Sequence, residues 1–596
     1  MILQALVAYY DRLAKEGAIP PLGWADREIG WVVFLSPDGH AKAFQNTYQP
    51  VTVQRGKKSV SELRAKSFRV PAGEHKQGIN PRLLWDNPEY ALGLPKGDTK
   101  RKIEDAKAKC EAFAKRIQSL GLEALAPIVT FLGNDAKLEE LKACDPGQFA
   151  AFMEEVEKPK GSTLVTFRLF GDDDVVCARP DVREACDRQW AASVAGDTLC
   201  IASGIRGAVT ETTDPVHLRG GQTSGCRLVA FQKNSGFDSY HKEQGRNAPI
   251  AERTTFRYTA ALQALIDSPA HRLYVGEETL LFWASSPNPV EDALTDLLGY
   301  HAAEDDDSGA IALKGILTAA QQGQMPGFRD AGRFWLLLLQ PVAARIAVRL
   351  WVEQTPTETA IHLRDWFADL EVAKPPQEQG KPIPIYRLLS ALSPQGDVKN
   401  LPPRLGGDLL YAALRGSKIP DGVAQAALRR LKSEDVTFIR AALLKAWLIR
   451  NPLTQTERKP TVMLDLENDN PGYCLGRLFA VLEKAQEDAL PGLNATIKDK
   501  FYATASADPA AVLATLIRNG NHHIEKIAAT RPQAKTFYER LKQEILGHLS
   551  DIPTHLDLAD QARFALGYYH QRQAFFAKKD KPEAPAAIQD DLPHNA

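Results

Sequence analysis

The residues of this chain with types and spacing suited to chemistry fall into three groups, and each prescribes something different. Two acidic runs, Asp172–Asp174 and Asp305–Asp307, carry the oxygen donors that hold Mg²⁺ in a metal-dependent nuclease. Both sit beside a glycine in a hydrophilic stretch, however, which is also the pattern of a solvated loop. His522 and His523 are neighbours, so a helix turns them ~100° apart and they cannot both grip one ion unaided. Gln222–Gly225 is not a nucleophile elbow, His217–Gly221 is not a P-loop, and H-E-x-x-H is absent. No catalytic constellation, metal set or cofactor motif emerges, and the expectation is a protein that is not an enzyme; the alternative kept open is a metal-dependent nuclease using the acidic clusters.

Basic clustering is the more informative pattern. Between Val51 and Val70 stand Arg55, Lys57, Lys58, Arg64, Lys66 and Arg69 against one acid, Glu62, although the chain as a whole has 73 basic and 74 acidic residues. Such a stretch suits a phosphate backbone. The next segment, PAGEHKQGINPRLLWDNPEYALGL from Pro71 to Leu94, is broken by Gly73, Gly78 and Pro81 and presents Lys76, Gln77 and Asn80 at its tip. Amide side chains on a glycine-framed loop can approach base edges, and in the minor groove they would separate A·T from G·C. The plainer reading is a surface loop anchored through Leu84, Trp85 and Tyr90. A second basic region, Ile201–Ala260, has eight Arg or Lys against five acids, interleaved with Phe231, Phe237, Tyr240 and Phe256. Cations alternating with aromatics suit a single strand whose bases stack, and equally suit an ordinary core with a charged rim.

The elements that must position these groups are legible in outline. At 596 residues, two to four cores are expected. Met1–Gly17 has helical apolar spacing and ends at glycine; Gly30–Leu35, Val51–Val53, Ser162–Leu169, Thr198–Ala202, Arg227–Phe231, Phe334–Gln340 and Ala344–Val352 read as strands; Lys100–Gly121 reads as helix. Val372–Pro384 holds four prolines without apolar periodicity and is expected to be a linker. Beyond it the pattern is helical. Asn470-Pro471 and Asp508-Pro509 read as capped helix starts and Gly520 as a left-handed stop, with Leu475, Leu478, Phe479, Leu482 and Ala485 in one stripe and Phe537, Leu541, Ile545 and Leu549 in another. The expected fold class is α+β: a mixed α/β region over 1–371, of one or two subdomains, a linker over 372–385, helices over 386–576 with a bundle from about 463, and a disordered tail over 577–596.

Composition excludes some classes. The longest uncharged apolar stretch, Phe334–Ala344, is 11 residues, short of the ~20 that cross a bilayer. The first charge in MILQALVAYYDRL is Asp11, the wrong order for a secretory signal. Seven cysteines without a CxxC pair fit neither a disulfide framework nor a zinc ribbon, so a cytoplasmic location is expected.

Five separated stretches, MILQALVAYYDRLA, GINPRLLWDNPEYALGL, SGCRLVAFQKNSGFDSYHKEQGRNAPIAERTTFRYTAAL, NPGYCLGRLFAVLEKAQEDAL and FALGYYHQRQAFF, occur in order over nearly the whole chain. Together they resemble the large subunit of the subtype I-C CRISPR Cascade, a crRNA-guided surveillance complex. The resemblance implies a non-enzymatic subunit that recognises the protospacer-adjacent motif in duplex DNA, helps open it, holds the displaced strand and docks a helicase-nuclease, while guide pairing reads the remaining sequence. Implied partners are the crRNA-containing backbone and handle-binding subunits, target DNA, the helicase-nuclease, and small subunits made from the chain's own C-terminal region. Carried onto this sequence, motif reading falls to Lys76, Gln77, Gly78 and Asn80, phosphate contact to Arg55, Lys57, Lys58, Lys66 and Arg69, and the non-target strand to Arg219, Lys233, Arg246 and Arg253. Met463, the last methionine, would open a 134-residue product and is the internal-start candidate.

Overall fold

A computed structural model describes residues 1–55, 58–73, 78–158, 163–233, 236, 240–288, 290–291, 294, 332–402, 404–454 and 457–576. The chain divides into two compact units: 1–217 with 223–264, and 218–222 with 265–596.

In the first unit helix α1 (Ile2–Lys15) buries Leu6, Tyr9 and Tyr10. Strands β1 (Trp24–Glu28), β2 (Trp31–Leu35), β3 (Ala41–Asn46), β4 (Gln49–Arg55), β5 (Lys58–Arg64), β6 (Ser67–Pro71) and β7 (Trp85–Asp86) follow, then helices α2 (Pro88–Ala91), α3 (Lys100–Gln118), α4 (Ala126–Gly133), α5 (Lys137–Cys144) and α6 (Pro146–Glu157) before strand β8 (Val165–Leu169). The central sheet has the order β3-β2-β8-β7, with β2 and β8 parallel. Four of five residues are buried in each of these two strands, the near-continuous apolar run of a strand covered on both faces. Trp31 stacks on Phe44 at 4.8 Å, and Phe152 of α6 closes edge-on at 5.3 Å. Helix α7 (Pro180–Ser193), the short pair β9 (Thr198–Leu199) and β10 (Arg206–Gly207), and helix α8 (Glu252–Asp267) complete the region. Two expected strands are shorter or missing: Thr198–Ala202 reduces to two residues, and Arg227–Phe231 forms none. There Cys226 forms an isolated bridge with Val216, and Arg227 Nε turns to the Thr213 carbonyl at 2.8 Å.

The second unit opens on an antiparallel sheet, β11 (Arg272–Val275), β12 (Glu278–Ala284), β13 (Phe334–Val342) and β14 (Arg345–Gln354), hydrogen-bonded in that order. Helices α9 (Pro356–Asp369), α10 (Ile385–Leu392), α11 (Leu405–Arg415), α12 (Asp421–Leu431), α13 (Phe438–Arg450), α14 (Pro471–Ala489), α15 (Ile497–Ala505), α16 (Pro509–Ala528), α17 (Pro532–Gly547) and α18 (Leu558–Phe576) follow. The α+β class is therefore as expected, with the sheet-bearing region first and helices after it. One apolar core runs from Leu273 to Tyr569. The proline-rich stretch lies inside it: Val372 and Ile383 are 1% and 2% exposed, and Lys374 Nζ donates to the Lys381 carbonyl at 2.7 Å. Proline fixes φ without forbidding burial, so a break in composition here is not a break between compact units.

The capped starts separate into one of each kind. Asn470 accepts the Tyr473 N–H at 3.1 Å as an N-cap, whereas Asp508 caps nothing and pairs with His555. Gly520 is not a stop. α16 runs straight through it, and a Cβ there would lie 2.4 Å from Leu482 Cδ2, so the glycine serves close helix contact instead. The same device is stronger between α14 and α18, where a Cβ at Gly476 would lie 2.0 Å from the Phe564 carbonyl oxygen and one at Gly567 2.2 Å from that of Tyr473. No helix among the described residues is long and apolar enough to cross a membrane.

Candidate nucleic-acid interface

The basic cluster between Val51 and Val70 folds into a free-standing ribbon. β4 and β5 pair antiparallel over seven register positions, from Gln49 opposite Arg64 to Arg55 opposite Lys58, and join no other strand among the described residues. The base of the ribbon is sewn to the body. The Thr47 hydroxyl donates to the Ile29 carbonyl at 2.5 Å and accepts the Lys66 N–H at 3.3 Å, while the Ile29 N–H donates to the Lys66 carbonyl at 3.1 Å. Beside this clamp the Tyr48 hydroxyl donates to Glu155 at 2.6 Å; burial, reinforced by this carboxylate, pushes the pKa of the phenol above its usual range. Tyr48 lies so close to the chain that a Cβ at Gly30 would be 2.7 Å from its ring. Lys57 lies outside the described residues, and the pairing of Arg55 with Lys58 fixes where the ribbon ends.

The two remaining members of that cluster differ. Lys66 is exposed, with Nζ 4.9 Å from the centre of the Phe68 ring. Arg69 is engaged: Nε and Nη2 reach the two oxygens of Asp26 at 3.0 and 3.2 Å across the β1–β6 pair, and this hydrogen bonding raises its pKa. Arg69 is therefore the least available of the expected phosphate contacts.

The loop after β6 is pinned at both ends. Trp85 Nε1 donates to the Pro71 carbonyl at 2.9 Å, and Arg82 bonds the Gly73 carbonyl at 3.3 Å and the buried Asp86 carboxylate at 3.2 Å. Leu84, Trp85 and Tyr90 are buried, as the anchoring role requires. Lys76 and Gln77 lie outside the described residues. Gly78 is exposed at φ +88°, in the left-handed region glycine favours, and Ile79 beside it is 48% exposed. Asn80 is half-buried: its N–H donates to the Tyr90 hydroxyl at 3.3 Å, and its carboxamide oxygen accepts from Arg116 Nη1 of α3 at 3.3 Å. Arg116 also bonds the Pro81 carbonyl, and burial pushes its pKa down. Sequence reasoning missed Arg116 because 36 residues separate it from Asn80. Its position in the last turn of a helix was the sole available hint. It missed Ile79 as an exposed apolar tip although the residue lies inside the quoted loop.

The second basic region is divided between the two compact units. Arg219 belongs to the second unit, where its guanidinium lies 4.6 Å over Tyr274, while Lys233, Arg246 and Arg253 belong to the first. Lys233 pairs with Glu243 at 2.8 Å and Arg246 with Glu211 at 3.2 Å, both exposed pairs of small energetic weight. Arg253 is exposed in the first turn of α8. Of the interleaved aromatics, Phe256 packs between Tyr10 and Trp190 at 6.1 and 6.0 Å, Tyr240 is 90% exposed, and Phe237 lies outside the described residues.

Among the acidic runs, Asp172 accepts from Arg179 at 2.8 Å and Asp174 from the Val175 N–H at 2.8 Å, so both shape their own turn. Asp305–Asp307 lie outside the described residues. No group of three or more His, Cys, Asp or Glu side chains converges to hold a metal among the described residues. Met463 is 68% exposed in the loop before α14.

A basic ribbon and a glycine-framed loop, leaving the two ends of the β1–β6 pair, are elements that can bind a nucleic-acid backbone and present polar groups to it. No curated protein matches the sequence. A family profile does: over residues 6–576, nearly its whole length, the chain belongs to the family described as CRISPR-associated protein (Cas_Csd1).

Proposed function

We propose that this protein is the large subunit of a type I-C Cascade, a crRNA-guided antiviral complex, and that it recognises the protospacer-adjacent motif without cutting DNA. Family membership supports a subunit of a CRISPR effector complex. The observation that carries the DNA-reading role is the clamped basic ribbon at one end of the β1–β6 pair, with the loop that ends at Asn80 following from the other end. In this reading the ribbon and Lys66 hold phosphates, and the Lys76–Asn80 loop, braced by Arg116, meets base edges. Lys233, Arg246 and Arg253 of the first unit contact the displaced strand, and Arg219 of the second unit is a separate contact to it. A separate helicase-nuclease docks on the chain and supplies the bond cleavage. Initiation at Met463 would yield a second, small-subunit polypeptide from the C-terminal region, which intact-mass measurement of the purified complex would register as a 134-residue species.

Electrophoretic comparison of the assembled complex on duplexes that differ only beside the target tests the central claim. Binding that ignores those bases refutes it. Replacing Gln77 and Asn80 by alanine should cut the discrimination between correct and incorrect motifs by about tenfold, the scale of a lost base contact, while leaving affinity for non-specific duplex nearly unchanged. Incubation of the pure protein with DNA and Mg²⁺ separates this reading from the nuclease alternative, because cleavage abolished by Asp172→Asn would favour the latter.

A further inference from the structure

We infer that Tyr240 is a stacking platform for an unpaired base of the displaced strand, a role that rests on the strand-holding part of the proposal above and names the residue that takes a base. The ring is 90% exposed, so it packs on almost nothing of the fold. Its backbone is nevertheless costly. Tyr240 and His241 have φ of +51° and +58°, and Gln244 follows at +45°. Consecutive left-handed positions normally fall to Asn and Gly, because a Cβ crowds the backbone there, and an aromatic side chain gains nothing locally from the conformation. Outliers of this kind persist only where the surroundings impose them, and they gather at ligand clamps.

The surroundings do impose this one. The Asn247 carboxamide donates to the Lys242 carbonyl at 3.2 Å and to the Gln244 carbonyl at 3.0 Å. The Gly245 N–H donates to the Glu211 carbonyl at 2.9 Å, the Arg246 N–H to the Glu243 carbonyl at 3.0 Å, and the Ala248 N–H to the Gly245 carbonyl at 3.1 Å. A Cβ at Gly245 would lie 2.2 Å from the Thr210 carbonyl oxygen, so only glycine lets the segment seat this deeply. The result is a turn fastened from Lys242 to Ala248 that holds the Tyr240 ring out in solvent. Its neighbours indicate what the ring meets. His241, Lys242, Glu243 and Arg246 are exposed, and the two acids there are each held by a cation, Glu243 by Lys233 at 2.8 Å and Glu211 by Arg246 at 3.2 Å. Lys242 is the surplus charge among these groups. An aromatic anchor for a protein partner sits in a closely packed pocket ringed by contacts that exclude water. A solitary ring among cations is instead the arrangement that stacks a base while its phosphates are neutralised. Bases inside a duplex are already stacked on both faces, so the occupant is an unpaired nucleotide.

The test uses the assembled complex on a duplex whose displaced strand carries 5-iodouracil or thymine at successive positions. Irradiation should cross-link one iodouracil position to Tyr240, located by mass spectrometry, and permanganate should spare a thymine placed there. Tyr240→Ala should expose that thymine and weaken binding of an oligonucleotide of the displaced-strand sequence about tenfold, with the log–log salt slope unchanged because no charge is lost. Tyr240→Phe should behave as wild type, and Lys242→Gln should instead flatten the slope by about 0.7. Tyr240→Gly should lose the strand as Tyr240→Ala does, yet melt at or above the wild-type temperature, because glycine accepts the left-handed backbone. Wild-type protection of the thymine in Tyr240→Ala overturns the inference, and so does a lower melting temperature in Tyr240→Gly, since the ring would then serve the fold. Failure of Tyr240→Ala to assemble also overturns it, because the ring would then be a protein contact. A wild-type complex that leaves its whole displaced strand open to permanganate would instead defeat the strand-holding proposal itself.

Discussion

Gly476→Ala is expected to destabilise the second unit by about 3 kcal/mol, read as a shift in the denaturant midpoint. The added Cβ would stand 2.0 Å from the Phe564 carbonyl oxygen, 2.8 Å from its carbon and 2.9 Å from the Tyr568 nitrogen. All three are backbone atoms of α18, so no rotamer change relieves the clash, and the helices must separate by more than an ångström. That movement would open the packing of Phe479 against Phe564 and Tyr568, now at 5.9 and 6.1 Å, and of Tyr502 beside them. The helix propensity gained from alanine, about 1 kcal/mol, is too small to compensate. Two controls isolate the cause. Gly547→Ala in α17 meets nothing within 4 Å and should be neutral or stabilising by up to about 1 kcal/mol. Gly520→Ala meets the mobile end of Leu482 and should cost less than Gly476→Ala. If Gly476→Ala keeps the wild-type midpoint, the close crossing of α14 and α18 is not what holds the unit.

Acidification is expected to loosen the same unit through His570. This residue is 1% exposed on α18, its Nδ1 bonds the Tyr473 hydroxyl at 3.0 Å, and its Nε2 has no partner among the described residues. Burial, aided by the charge of Lys445, pushes its pKa from 6.5 down to about 3. Lys445 is itself 2% exposed, donates to the Asp369 carbonyl at 3.0 Å, and is shifted downward by the same burial. The groups facing the imidazole are thus Lys445 from α13, Tyr473 from α14, and, one bond further, the Asp465 N–H that donates to the Tyr473 hydroxyl. A base with a depressed folded pKa binds its proton in the unfolded chain first. Its contribution is therefore fully present above pH 6.5 and is lost as pH falls, at about 1.4 kcal/mol per unit, until the folded pKa near 3 is reached. His570→Phe removes the titration and costs about 1 kcal/mol of hydrogen bonding near neutrality. The stability curves of wild type and variant should consequently cross just below pH 6, with the variant more stable by about 2 kcal/mol near pH 4.5. Parallel curves down to pH 4 would show that His570 is not buried in its neutral form.

Both effects arise where the helical region keeps polar and glycine residues deep inside an apolar core. α18 is buried around most of its circumference, from Ala562 to Gln571, because the other helices of the unit wrap it. Its Tyr569 hydroxyl reaches back to the Ala373 carbonyl, and the Ala373 N–H pairs with the Val462 carbonyl at 2.9 Å. The segment around Met463 is therefore tied to the end of the proline-rich stretch. A separately made C-terminal polypeptide would have to re-cover the face of α18 that α13 now shields.

Local pattern alone determined a good deal about this protein. The periodicity of α3, the buried run of β2, the hairpin of β13 and β14 and the Asn470 cap are all short-range consequences of side-chain type, and each lies where residue spacing puts it. So is the concentration of cations between Arg55 and Arg69, since charge is a property of composition. What required the tertiary structure were the facts carried by contacts distant in sequence. Arg69 is consumed by Asp26 and Arg116 is delivered to the Asn80 loop from helix α3, neither of which any window of residues reveals. Gly520 illustrates the same limit, for a glycine that ends a helix and a glycine that admits a neighbour look identical until the neighbour is present. The ribbon is the clearest case: alternation predicts a strand at Val51–Val53, but only three-dimensional pairing decides that β5 is its one partner among the described residues, and a two-stranded arm is a different physical object from the same strand inside a larger sheet.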